Sequence, residues 1–343
     1  MQIKTEMTRR SFLQTGLGAL GGLAVGSTLF AETPPRAMTV TGAISPAQMG
    51  FTLPHEHIMS VFGGPLVRRA EYDVEKLFSA TVPYLKDLKA RGLDTLCDCT
   101  TAYFGRRADL LKTLSRETGI QILTNTGYYG AADDRYVPDD ARTATVDQLT
   151  ARWLSEWETG IDQTDIRPGF IKIGVDAGPL SPIDARLIRA AAQTHLHSGL
   201  TIAAHTGGSA EAAFAQLRIL QEEKGHPSAW IWVHAHSCSE TDSVLAAAKS
   251  GAWIEFDGVA ESTLERHLAW VNLMRDHGFL NQVLLSHDGN SFRFGDRPFK
   301  PYASLFTHLL PRLKKAGYSQ EEIVLLTRTN PGNAFAIRIR KLS

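Results

Sequence analysis

Hydrophobic positions along this 343-residue chain follow two alternating rhythms. Short runs rich in β-branched, aromatic and aliphatic residues occur at 51–57, 93–100, 120–125, 169–173, 200–205, 230–234, 252–257 and 282–287. Between them lie longer stretches of helical character, such as 74–90, 183–197, 210–223 and 263–277. Strands alternating with helices of this length indicate βαβ units and a parallel sheet. Eight such units without a Pro/Gly-rich linker predict an α/β fold, a (β/α)8 TIM-type barrel forming a single domain. A doubly wound open sheet is the alternative, but no Gly-x-Gly-x-x-Gly turn follows the first strand.

The first residues break the rhythm. Arg9 and Arg10 precede Phe12 and Leu13, an apolar glycine-diluted run extends from Leu17 to Phe30, and Ala31 ends it. A positive region, an apolar region and a small residue make an export signal. The arginine pair resembles a twin-arginine signal, which implies a periplasmic destination. An uncleaved anchor is the competing reading, because spanning a membrane takes about 20 apolar residues. The expected division is therefore a signal at 1–31 and a barrel at 32–343, with no membrane span in the mature form.

Charge narrows the partners. Thirty-six Lys+Arg balance 36 Asp+Glu, whereas a nucleic-acid binder needs a basic surplus to neutralise phosphates. Cys97, Cys99 and Cys238 are too few and too badly spaced for a disulfide framework. Cys97 and Cys99 are expected to face the helix layer, with Leu96, Asp98 and Thr100 opposite. The histidines at 195, 197, 226, 267, 277 and 308 are expected at the surface, and Trp230, Trp232 and Trp253 in packing.

Ligand-type residues gather where strands end, which is where barrel enzymes keep their chemistry. His55 and His57 stand two apart on a strand, so both side chains share one face and can hold one metal ion. Lys172 interrupts the apolar run 169–173; alternation puts it on the Phe170 face, aimed inward, with Ile171 and Ile173 toward the helices. A buried ammonium must shift its pKa, find a counter-charge such as Asp98, or be modified, for example by carbon dioxide to a carbamate. His205 and His234 each end a hydrophobic strand, and Asp288 follows the eighth. No Gly-x-Ser-x-Gly elbow suggests a nucleophilic serine.

The order His-x-His, strand-four Lys, His, His, Asp resembles the phosphotriesterase family of the amidohydrolase superfamily. The segments Gly50–His57, Gly169–Lys172, His205-Thr206, Leu284–Asp288 and Thr329–Pro331 are similar to family blocks, over about residues 40–336. The 29-residue gap from His205 to His234 also fits, favouring His234 over His236. This resemblance implies two divalent metal ions, usually zinc, bridged by an N6-carboxylated Lys172 and a hydroxide. It assigns His55, His57 and Asp288 to one ion and His205 and His234 to the other, with Asp288 as catalytic base. It implies hydrolysis of a small-molecule ester, lactone or phosphoester. Tyr129 matches a tyrosine near the metals in the lactonase branch.

The chain departs from the family pattern in two places. Asp257 is followed by Gly258 instead of Arg or His, and Ser237 stands where an acidic residue is expected, so His236 and His287 become candidates for the missing proton relay. Arg293, Arg297 and Lys300 either greet an anionic substrate or form a solvated loop. A non-catalytic periplasmic barrel that binds metal or ligand, and a mononuclear deaminase-type relative, are the rival readings; the complete ligand set opposes the first and Lys172 the second. A homodimer is an open expectation.

Overall fold

The computed structural model describes residues 34–342 except 296. Its parallel strands are β1 Thr52–Ser60, β2 Thr95–Asp98, β3 in two pieces (Gln121–Leu123, Asn125–Thr126), β4 Phe170–Gly174, β5 Ile202–His205, β6 Trp230–Val233, β7 Trp253–Phe256 and β8 in two pieces (Val283–Leu285, Gly289–Arg293). Each strand pairs with the next in sequence, and Gly289–Arg293 pairs in parallel with β1 to shut the ring. Helices α1 Val74–Ala90, α2 Ala108–Thr118, α3 Val146–Thr159, α4 Pro182–Ser198, α5 Ala210–Glu222, α6 Thr241–Ser250 and α7 Leu264–Asp276 fill the connections. The fold is the predicted (β/α)8 barrel. The predicted strands differ mainly at their ends: β1 runs on through Ile58 and Met59 to Ser60, and β2 stops at Asp98.

Two apolar layers follow from alternation. Phe170, Ala203, Ile231 and Leu284 pack inside the barrel, while Ile171, Ile173, Ile202 and Ile254 pack against the helices. Lys172 accordingly projects inward, as alternation predicted. On β2 the expected phase is wrong: Cys97 and Cys99 join the interior cluster, and Leu96 faces the helices. That expectation took Asp98 for an inward polar residue. Instead Asp98 accepts from the amides of Ile58 (2.8 Å) and Thr100 (3.1 Å), beside a register shift between β1 and β2. Its carboxylate satisfies backbone donors that the shift leaves unpaired. All three cysteines are free.

Two of the histidines expected at the surface are buried, because each is held by backbone partners. His195 donates from Nδ1 to the Leu200 carbonyl (2.8 Å) and accepts at Nε2 from the Arg340 amide (2.9 Å), tying the C-terminal strap to α4. His267 lies between the carbonyls of Thr263 (2.9 Å) and Asp257 (2.8 Å). The tryptophans of β6 and β7 are buried in packing, as expected.

The seam between β8 and β1 is fastened by one carboxylate. Buried Glu56 accepts from Ser286 Oγ (2.8 Å), the amides of His287 (3.1 Å) and Gly289 (2.6 Å), and His287 Nδ1 (2.7 Å). Ser286 Oγ in turn accepts from the His55 amide at 3.0 Å. No helix among the described residues is long and apolar enough to cross a membrane. The predicted export signal at 1–31 lies outside the described residues.

Glu56→Gln presents an NH2 to donors and should lower the unfolding free energy by about 3 kcal/mol, read from urea denaturation. Burial lowers the pKa of His195, so the unfolded chain takes up a proton that the folded chain resists. Its contribution to stability should hold above about pH 6.5 and be lost progressively as the pH falls further. His195→Gln should flatten the slope of unfolding free energy against pH in that acid window.

Candidate metal centre

Every site residue predicted from sequence reaches one cavity. His55, His57, Lys172, His205, His234 and Asp288 line a space of about 250 Å³ at the C-terminal mouth of the barrel, together with Tyr129 and Arg293. The strand ends deliver them. His55 and His57 project from β1, Lys172 from β4, and His205 from the last position of β5. His234 (φ 66°) and Asp288 (φ 53°) adopt left-handed backbone just past β6 and within the break in β8. Non-glycine residues hold that conformation at a cost, and here it turns both side chains into the mouth.

Hydrogen bonds fix which imidazole nitrogens carry protons. Thr100 Oγ1 donates its single proton to the Met59 carbonyl (2.8 Å) and therefore accepts from His57 Nδ1 (2.8 Å). His55 Nδ1 is directed at Glu255 Oε1 (2.8 Å) and Asp257 Oδ2 (3.1 Å). In the neutral rings the Nε2 atoms are then bare acceptors, 3.5 Å and 3.3 Å from Asp288 Oδ1. Three lone-pair donors thus converge, and His55, His57 and Asp288 have the spacing of a metal site. His234 repeats the arrangement: Nδ1 is held by Asp257 Oδ1 (2.5 Å), leaving Nε2 2.8 Å from His205 Nδ1. His205 Nδ1 is also 3.2 Å from the Tyr129 hydroxyl.

Electrostatics keep the His55 and His205 rings neutral, the form that binds metal. Burial, reinforced by Lys172, lowers His55 to about 3. Burial, His234 and Lys172 hold His205 well below the usual histidine range. Of the two supporting carboxylates, Glu255 is pushed well up by burial and by Asp257. Asp257 is held low by His234 despite its own burial, so it carries the negative charge. Lys172 is 1% exposed and its Nζ has no hydrogen-bond partner. The counter-charge expected from Asp98 is not supplied, because that carboxylate is engaged with backbone amides.

The proton-relay candidates separate. His287 lends Nδ1 to Glu56 and accepts at Nε2 from the Leu305 amide (2.9 Å), so both nitrogens serve the barrel seam. His236 lies 3.4 Å from Asp257 and away from the cavity lining. Sequence reasoning missed Glu56, Thr100 and Glu255. Glu255 on β7 and Asp257 just past its end were findable as an i, i+2 pair, inward by the alternation that located His55 and His57. Thr100 carried no signal, since its role depends on β1 lying beside it.

Asp257→Asn offers an NH2 that competes with His234 for orientation. It should weaken metal affinity by about 10–100-fold, measured by competition with a chelator, while far-ultraviolet circular dichroism stays unchanged.

Residues 35–335 match the model of the phosphotriesterase family. A phosphotriesterase homology protein of Escherichia coli (strain K12) is 30% identical over 291 residues, covering 83% of this chain and 98% of its own length. The N-acetyltaurine hydrolase of Homo sapiens is 25% identical over 343 residues, covering 86% of this chain and 96% of its own. Among solved structures, an organophosphorus hydrolase from Deinococcus radiodurans superposes with a TM-score of 0.80 at 26% identity, covering 89% of this chain and 100% of that one. The unbroken barrel rhythm, the histidines and carboxylate at its mouth and a match over nearly all the described residues agree: this chain belongs to the phosphotriesterase family.

Proposed function

We propose that the chain is a binuclear metal-dependent hydrolase, with zinc as the resident metal, cleaving an ester, lactone or phosphoester. The observation that carries this reading is the convergence of bare imidazole nitrogens on Asp288 beside a buried, partnerless Lys172. His55, His57 and Asp288 would hold one ion and His205 and His234 the other. Lys172 would join both as a carbamate: its ammonium gives up one proton to free the Nζ lone pair, which forms a bond to the carbon of CO2, and a second proton is released. That change turns an uncompensated buried cation into an anion with two oxygen ligands, which suits a site crowded with metal charge. Such a metal pair lowers the pKa of a shared water and polarises the carbonyl or phosphoryl oxygen under attack.

The remaining work falls to the chain. Asp288 has one oxygen turned to the histidines and the other toward Lys300 (2.9 Å), and its carboxylate is placed to accept the water's proton as attack proceeds. Asp257 and Thr100 keep the histidines in the tautomer that leaves nitrogen lone pairs inward. Tyr129, whose hydroxyl lies at the rim of the cluster, and Arg293 orient the substrate. With His287 committed to the seam and His236 away from the cavity, Asp288 releases its proton to solvent. Several relatives are named for an N-acetyl substrate, so N-acyl compounds belong in the screen. The signal-like residues 1–31 would direct the folded protein to the periplasm.

Purified protein should contain about two metal ions per chain by elemental analysis. Lys172→Ala should lose much of the metal and the activity, and short carboxylates should restore part of both. Asp288→Asn keeps side-chain size but cannot take the proton, so turnover should fall by about 10²–10⁴ in samples matched for metal content. Wild-type turnover by a fully metallated Asp288→Asn protein would refute the assignment.

A further inference from the structure

Part of the cavity wall, reaching Asp288 at the edge of the histidine cluster, carries two cationic side chains. Gly289–Arg293 continues β8 along β1, so Arg293 is set by a strand and not by a loose loop. An antiparallel bridge fixes the Lys300 backbone to the same strand at Asn290: the Asn290 amide donates to the Lys300 carbonyl (2.8 Å) and the Lys300 amide to the Asn290 carbonyl (2.9 Å). Both side chains line the cavity. Arg293 is half-buried, its Nε has no hydrogen-bond partner, and no ion pair to it occurs among the described residues. Arg297 behaves differently, lying over the Phe62 ring (6.0 Å) outside the lining. With Lys172 as the carbamate of the reading above, the lining sets two anions, that carbamate and Asp288, against Arg293 and Lys300, and the metal ions then make the space electropositive.

Another part of the lining is aromatic. Phe104 stacks on Tyr129 (centroids 5.0 Å apart) and meets His57 edge-on at 5.7 Å, and Phe62 packs on Phe104 at 5.7 Å. A space of about 250 Å³ between an apolar wall and two fixed cations admits a short acyl group and one compact anion, not a long chain.

We propose that the substrate is a small acyl compound with an anionic group a few atoms from the scissile carbonyl, its acyl end on the Phe62–Phe104 wall and its anion clamped by Arg293 and Lys300. This rests on the hydrolase reading above and names its substrate class. Lys300 keeps one proton on Asp288 Oδ2 (2.9 Å) and has two more for the anion. Charge of the cavity's sign also raises the local concentration of anionic substrates, an effect that salt weakens.

The test uses matched pairs on metal-loaded protein: acetoxyacetate, N-acetylglycine and N-acetyl-β-alanine, each against its neutral carboxamide. Wild-type kcat/KM should favour at least one anion over its carboxamide by 30-fold or more. Within each variant the same ratio cancels losses of folded or metallated protein. Arg293→Glu and Lys300→Glu should each cut the ratio at least tenfold, and the milder Arg293→Gln and Lys300→Gln at least threefold. A wild-type ratio near one for every pair, or a ratio that all four variants leave in place, overturns the clamp. If no pair turns over, the hydrolase reading fails for these bonds and calorimetry decides the clamp separately. Levulinate, a ketone that cannot be hydrolysed, should then bind more tightly than levulinamide, and lose that advantage in Arg293→Glu. Equal binding, or an advantage that persists in Arg293→Glu because the carboxylate sits elsewhere, overturns it.

Discussion

The Glu56 carboxylate at the joint of the first and last strands is the constraint on which the rest depends. A barrel has no edge only if its final strand finds its first, and here that strand breaks at 286–288 just before it does so. The break frees backbone donors in a dry place, and Glu56 collects them together with the Ser286 hydroxyl and the His287 ring. The same break carries Asp288, whose amide donates to the His55 carbonyl at 3.1 Å. Closing the barrel and presenting Asp288 to His55 and His57 are therefore one event.

From that joint the site is organised outward by proton bookkeeping. Three of the histidines at the mouth spend one nitrogen on a fixed acceptor, Thr100 for His57, Asp257 and Glu255 for His55, and Asp257 for His234. What faces the cavity is then a set of lone pairs, costly to gather without a cation and well suited to holding one. The left-handed backbone at His234 and Asp288 belongs to the same account, as local strain kept by a surrounding sheet that leaves little freedom.

The cavity around this cluster has two chemically distinct sides. Arginine and lysine come from the β8 extension and its strap, and aromatic rings from the loops after β1, β2 and β3. Family membership accounts for the barrel, whereas substrate choice in such folds is set by loops that vary while the barrel persists. Asp257 is met by His55, His234 and His236, so histidines surround it on the inner side of the site.

The sequence by itself determined the barrel, the inward aim of Lys172 and the six residues at its mouth. Strands and helices announce themselves through local periodicity, and a polar residue at the end of an apolar run is legible without knowing its neighbours. It did not determine the phase of β2, because Leu96, Cys97 and Cys99 are all apolar and Asp98 has a polar use on either side. Nor did it determine that His287 serves the seam, that Glu255 and Thr100 orient the ligand-type histidines, or that Arg293 and Lys300 line the cavity while Arg297 does not. Those outcomes rest on pairings distant in sequence, 43 positions for Thr100 and His57, 200 for Glu255 and His55, and 231 for His287 and Glu56. Periodicity is local and says which face a residue takes; only closure of the ring decides which partner it meets there.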